Sequence, residues 1–516
     1  MVEFRYTDHR PHLEEKSVSS TLLADIMQST NGLQNWVAGL DRRVYAILIG
    51  AAIGIAGGGI GLMLAAAGPV ITVGVVFGVL AALYILSNVS AALYAIIFVT
   101  ALLPFGTLPF KVGVTPTFLD MALGAFVMVY LLQWMTGQRQ RLRLTPVHGL
   151  IGVYIAWLIL SFVLGLRYGA PTPAIMRQFA ETLLSISMTF VLVDLLREPA
   201  AMRRLVLVVM IAVTVQALIA IIFYALPDTI TERILVRLAR IGYPNGGVIR
   251  YIEDNPANAE RAIGTWVDPN ALGGLLAISA ALIAPQIFAQ KPALRWRWLS
   301  FLALGLVALA LILSFSRASM LGFAISLSAV ALFPRYRKFI PLILLGAVLL
   351  FALPQTRGYI ERFGQAFTGS DLATQMRLGE YGDSLKLISR YPIEGVGFTG
   401  TPSIDLYTRV ASMYLIIANQ IGLTGLAIYV VMIASIFIYG WYARKAARDN
   451  PALEAIHLGF HAALLAGLIN ATGDLYFFRL DFQASITLFW LITALALASS
   501  YLALHESTVA KPNSVS

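Results

Sequence analysis

Met376-Arg377-Leu378-Gly379-Glu380-Tyr381, then Ser389-Arg390-Tyr391-Pro392-Ile393-Glu394-Gly395-Val396-Gly397-Phe398, then Val410-Ala411-Ser412-Met413-Tyr414-Leu415, is the stretch on which the reading of this chain turns. It is polar and charged until its last segment, where it passes into an apolar run. From Ala411 to Tyr442 that run has 32 residues. Wholly helical, it would measure about 48 Å, against a bilayer hydrocarbon core of about 30 Å. Val410–Ala418 is therefore expected in the interface, with the true span starting near Asn419. The preceding polar segment, about 355–408, is long for a structureless loop, and loops of that length are usually functional. Within it Leu378, Tyr381, Leu385 and Ile388 recur at helical spacing, while Arg377, Glu380 and Ser384 share another face. That pattern predicts an amphipathic helix on the bilayer surface with its polar face over a cleft.

Working outward, the 516 residues are 58% hydrophobic and only 12% charged, with a mean hydropathy of +0.77. Ordinary globular chains carry about twice that charge. Apolar runs long enough to cross a membrane recur from Val44 to the C-terminus. Fourteen are expected: 44–66, 69–86, 90–105, 116–136, 147–166, 178–196, 204–226, 271–289, 298–314, 318–333, 339–354, 420–443, 455–473 and 483–503. The fold class predicted is an all-α polytopic membrane protein of about 14 transmembrane helices with two large external loops. Residues 1–43 read as a cytoplasmic tail, 44–503 as the transmembrane catalytic domain, and 504–516 as a disordered cytoplasmic tail.

The net charge of +10 does not signal nucleic acid. Its basic residues fall in short clusters between spans: Arg42-Arg43, Arg139/Arg141/Arg143, Arg197/Arg203/Arg204, Lys291/Arg295/Arg297, Arg335/Arg337/Lys338 and Arg444/Lys445/Arg448. With fourteen spans and a cytoplasmic N-terminus, all six lie on the cytoplasmic side, as the positive-inside tendency requires. Both termini are then cytoplasmic. The same count puts the loops at about 227–270 and 355–408 on the outer face, each with several Arg. With no cysteine, disulfides and thiol nucleophiles are excluded. No nucleotide loop, nucleophilic triad, metal or cofactor motif is found. His457 and His461 sit toward the cytoplasmic half of a span, where a metal site is not expected.

Four polar features sit at the outer ends of spans. Arg261 precedes Asp268-Pro269-Asn270, a helix-start sequence in which Asn270 reads either as a cap or as a ligand-facing amide. Ser316-Arg317 joins two spans with too few residues for a free loop, and an ionisable group at that depth is a functional candidate. Arg177 and Glu181, four residues apart, read first as a helix ion pair, and Asp120 is similarly placed. Arg377 and Glu380 belong to the amphipathic segment.

The order of these features resembles the O-antigen polymerase and O-antigen ligase superfamily. The resemblance rests on Arg261 with Asp268-Pro269-Asn270, on Ser316-Arg317, on Arg377 with Tyr391-Pro392-Ile393-Glu394-Gly395-Val396-Gly397, and on Met413-Tyr414-Leu415 with Gly422-Leu423-Thr424-Gly425. It covers about 170–440. It implies a GT-C-like, inverting, metal-independent glycosyltransferase of the bacterial inner membrane, facing the periplasm. The implied substrate is oligosaccharide on undecaprenyl pyrophosphate, with membrane lipids, a chain-length regulator and a flippase as partners. Catalytic roles are expected for Arg317, Arg377, Asp405 and Glu380, and substrate binding for Arg261, Asn270, Arg177, Arg409 and Tyr414. Ligases of the superfamily show His-Asn where this chain has Ala411-Ser412, which favours a polymerase. It also leaves the general base open among Asp405, Glu380 and Glu394. A ligase, or a transporter of lipid-linked sugar, is the competing expectation.

Overall fold

Lipid offers the backbone no hydrogen-bond partner, so a chain of this composition must satisfy its amides within helices. The computed structural model describes residues 42–108, 115–139, 142–352, 364, 372–400, 406 and 410–509, and among them helices dominate. The chain divides into a unit of residues 1–87 with 131–140 and a unit of 88–130 with 141–516. The first contains α1 (Arg42–Ser87), broken by Gly68 at φ 81° and ψ 171° just before Pro69. The two apolar halves are those expected at 44–66 and 69–86.

In chain order the second unit runs through α2 (Val89–Leu102), α3 (Phe118–Met135, up to Tyr130), α4 (Val147–Gly165), α5 (Pro173–Leu195) and α6 (Pro199–Ala225). The connection expected as the first external loop follows, and it is built rather than free. It holds α7 (Asp228–Arg237) and a hairpin of β1 (Arg250–Tyr251) and β2 (Glu260–Arg261), with Arg250 opposite Arg261. Leu235, Tyr243, Val248, Ile263 and Val267 bury together against Phe105 and Phe223, which fixes the loop on the helix ends. Then come α8 (Pro269–Ile287), α9 (Arg297–Leu313), α10 (Arg317–Ala331), α11 (Phe339–Ala352), α12 (Leu372–Arg390), α13 (Met413–Asp449), α14 (Glu454–Gly473) and α15 (Gln483–Val509). The last helix runs past 503, where the terminal tail was expected to start.

Among the described residues, eight helices are long and apolar enough to cross a membrane: α3, α4, α5, α6, α8, α13, α14 and α15. The apolar helices α2, α9 and α10 are shorter. The protein is an all-α multi-pass membrane protein by this measure, with eight of the fourteen expected spans meeting the length.

The core is organised on α8 and α15, both almost wholly buried. Helix α8 is rich in Ala and Gly and packs against α9, α10 and α14, while α15 packs against α5 and α13. Small side chains let backbones approach closely in lipid, where packing rather than water exclusion drives association. Polar pairs tie α5 to α15: the Ser185 and Thr487 hydroxyls lie 2.8 Å apart, and Gln483 Nε2 donates to Gln178 O at 2.9 Å. Large apolar residues such as Leu423, Val430, Val431 and Ile438 are exposed, the arrangement expected of surfaces facing acyl chains.

The opening stretch is held at a break in α13. Gly422 has φ 75° and ψ 175°, a region open essentially to glycine. The carbonyls freed there accept from Val396 N at 2.9 Å, Gly397 N at 2.8 Å and Trp157 Nε1 at 2.9 Å, through Asn419, Gln420 and Ile421 respectively. On the far side of the break, Leu423 N donates to Pro392 O at 2.7 Å. The turn Tyr391–Gly397 therefore serves as a cap for both halves of a broken helix. The first half, Met413–Ile421, ends three residues beyond the interfacial segment Val410–Ala418 read from length alone.

Candidate functional site

A cleft of about 170 Å³ forms where the described parts of the two long connections, expected as external loops, meet the ends of α8, α10 and α14, and Arg261, Asn270, Arg317 and Arg377 all line it. Each is held differently. Arg261, on β2, donates from Nε to Ser314 O at 2.9 Å and from Nη2 to Asn270 Oδ1 at 2.5 Å. Asn270 is not the helix cap: Asp268 is, accepting from the backbone N–H of Asn270 at 2.8 Å and of Ala271 at 2.9 Å. Capping by Asp268 releases the Asn270 amide to orient Arg261. Arg317 is the first residue of α10, a place where the helix dipole disfavours a cation. A helix N-terminus with its own guanidinium suits an anion from outside the chain.

Arg377 reaches the cleft from α12, with its Nη2 3.9 Å from Asp474 Oδ1. Sequence reasoning missed Asp474. It follows Gly473 at the end of α14, is 3% exposed, and its Oδ2 accepts from Asn470 Nδ2 at 3.3 Å. Its backbone carbonyl accepts from Met413 N at 2.9 Å, joining the end of α14 to the start of α13. Burial pushes its pKa up to about 7; Asp268 adds to the rise, while Arg377, Arg261 and the Asn470 bond oppose it. The group thus changes charge near neutrality, in contact distance of guanidinium. The only signal in the sequence was an acid immediately after an apolar run.

Backbone strain gathers here as well. The non-glycine residues with positive φ are Glu253 (58°), Asp254 (51°), Val267 (59°) and Phe315 (52°) among the described residues. Glu253, Asp254 and Phe315 line the cleft, and Val267 adjoins the Asp268 cap. For Val and Phe this conformation is a true outlier, and such strain clusters at functional sites.

The other expected residues lie elsewhere. Arg177 pairs with Asp120 at 2.7 Å as well as with Glu181 at 3.3 Å, and lines a separate cavity with Trp266 and Gln483. Glu380 accepts from Ala411 N at 3.0 Å, and burial raises its pKa against the pull of that N–H and of Arg377. It positions the start of α13 instead of lining the cleft. Ser384, expected on a polar face, is fully buried and donates to Asn419 Oδ1 at 3.0 Å. Of the expected apolar face of α12, Leu378 and Leu385 are exposed, whereas Tyr381 is half-buried and Ile388 is buried. Tyr414 donates to Leu468 O at 2.8 Å. Glu394 pairs with Arg167 at 2.7 Å, which holds its carboxyl below the usual range. Asp405 and Arg409 lie outside the described residues. His457 is satisfied by Ser499 and the Gly440 carbonyl, at 3.2 and 3.1 Å.

Fold and site together define a multi-pass membrane protein with a strained, charge-lined cleft at one end of its helices, where Arg261, Arg317 and Arg377 share the lining with Glu253, Asp254 and the buried Asp474. Residues 302–430, about a quarter of the chain, match the family described as O-antigen ligase. The match supports the resemblance to the O-antigen ligase and polymerase superfamily, a family of membrane glycosyltransferase-like enzymes. It includes Arg317 and Arg377; Arg261, Asn270 and Asp474 lie outside it. No curated protein matches the chain.

Proposed function

We propose that the protein is a polysaccharide polymerase, transferring a growing glycan from undecaprenyl pyrophosphate to a lipid-linked repeat unit at the outer face of the bacterial inner membrane. One observation carries the reading: Arg261, Arg317 and Arg377, from three separate stretches, line one cleft with the buried Asp474. Guanidinium forms charge-assisted, bidentate bonds to phosphate oxygens. Three of them at a membrane interface suit a pyrophosphate whose lipid tail stays in the bilayer.

In the proposed step an acceptor hydroxyl attacks the anomeric carbon of the donor sugar from the face opposite the pyrophosphate. The carbon–oxygen bond to the carrier breaks as the new glycosidic bond forms, with inversion. The electron pair leaves on the diphosphate, and the three guanidiniums stabilise its growing charge. Such fixed electrostatic stabilisation often contributes most to an enzyme's rate enhancement. The acceptor proton passes to the Asp474 carboxylate, whose raised pKa suits a base working near neutral pH. This reading needs no metal or cofactor, and moves the base from Asp405, Glu380 and Glu394 to Asp474.

The ligase reading is favoured by the description of the matching family; the polymerase reading by Ala411-Ser412 in place of the ligases' His-Asn. Purified protein incubated with lipid-linked repeat units alone separates them. Longer glycans on the same carrier support the polymerase. Product only on a different, added acceptor means a ligase, and movement across the bilayer without new bonds sinks both.

A further inference from the structure

Two further cavities, about 300 and 200 Å³, adjoin one another through Gln178 and Asp481, which line both. Each has buried polar atoms without a partner in its lining residues. In the first, Asn419 Nδ2 and Gln420 Oε1 are unpaired; in the second, Glu181 Oε1 and Ser485 Oγ are. Asn419, Glu181 and Ser485 are only 3%, 2% and 1% exposed. An unsatisfied buried polar atom loses its hydration with nothing in return, and four in adjoining cavities call for an explanation. Aromatic rings stand beside them: Phe398 in the first cavity, Phe105, Trp266 and Phe482 in the second.

The cations in these walls are already neutralised. Arg177 pairs with Asp120 and Glu181, and Arg479 with Asp481. That leaves neither wall with net positive charge and argues against an anionic ligand. Unpaired donors and acceptors of both kinds, set among aromatic faces and without net positive charge, match an uncharged polyhydroxylated chain. Helix α12 links the two places: Arg377 lines the cleft and Leu387 the first cavity. Ten residues of helix separate them, about 15 Å or a few sugar units.

We infer that these adjoining cavities are a binding groove for the uncharged oligosaccharide of the acceptor, held several sugars from the reacting hydroxyl. The inference rests on the proposed glycan transfer, and it gives Arg177 a place in the wall of a sugar groove instead of a phosphate site.

The test uses the repeat oligosaccharide released by mild acid from the host's lipid carrier, titrated into purified full-length protein in nanodiscs. Gln420→Leu and Ser485→Ala each remove one unpaired atom. The groove predicts binding at least tenfold weaker in each, a similar rise in the acceptor KM, little change in kcat, and a thermal midpoint unchanged or raised. Unaltered binding and KM in both variants, or no binding by the unmodified protein, overturns it. Glycan transfer with unaltered variants sinks the groove alone. Oligosaccharide binding weakened in the variants, without any transfer by the unmodified protein, keeps the groove and sinks the enzyme reading.

Discussion

Asp474 carries the sharpest consequence at the scale of single residues. Its carboxyl is raised from an ordinary 3.8 to about 7, so the folded protein keeps a proton that the unfolded chain releases between these values. Stability attached to this group is therefore present below pH 3.8 and is lost as pH rises to about 7. Asp474→Asn should melt at or above the unmodified protein at pH 8, with the gap closing toward pH 4; thermal scans across that range check it. Activity should follow the opposite limb. Because a base must be ionised, kcat/KM rises with pH up to about 7 and then levels, and Asp474→Asn should flatten that limb at about a hundredfold lower rate. A pH profile with the limb intact in the variant removes Asp474 from the reaction. Arg261, Asn270, Arg317 and Arg377 were legible in the sequence because arginine at a membrane boundary is costly and needs a reason. Asp474 was not, since Arg377 on α12 and the start of α13 reach it only through packing.

Among elements, the break in α13 ties the opening stretch to the site. Helix length alone required an interfacial piece ahead of the span, but length says nothing about where a helix can break. The break falls at Gly422 because three freed carbonyls and one freed amide find partners there in the turn Tyr391–Gly397 and in Trp157. A Cβ on Gly422 would collide with the Ile393 carbonyl and would occupy a conformation costing about 1–3 kcal/mol for any other residue. Gly422→Ala should lower stability by at least about that amount. Trp157→Phe should lower it by about 1 kcal/mol through one lost hydrogen bond. Denaturation in detergent measures both, and an undisturbed Gly422→Ala would mean that the turn does not lock the helix. The helical spacing of α12 was legible, with Leu378 and Leu385 exposed and Arg377 at the cleft, yet the burial of Ile388, Leu387 and Ser384 could come only from tertiary packing.

For the whole molecule, the cleft residues sit at one end of α8, α10 and α14. The basic clusters at Lys291–Arg297, Arg335–Lys338 and Arg444–Arg448 follow or precede the other end of the same helices. The apolar pattern made the helices legible, because period and length are written locally. The structure of the connection between α6 and α8 was not, because its small hydrophobic cluster draws on residues more than a hundred positions apart. The chain has no cysteine, so single cysteines report sidedness cleanly. Thr229→Cys should react with a membrane-impermeant maleimide on intact cells, and Arg295→Cys only after the membrane is opened. The reverse pattern would put the cleft on the cytoplasmic side. The account stands most directly on whether the three arginines hold pyrophosphate. Calorimetric titration of a short prenyl pyrophosphate into purified protein should show binding that Arg261→Ala, Arg317→Ala and Arg377→Ala each weaken about 10- to 100-fold, the value of one charge-assisted bond. Equal affinity in the unmodified protein and all three variants would contradict it.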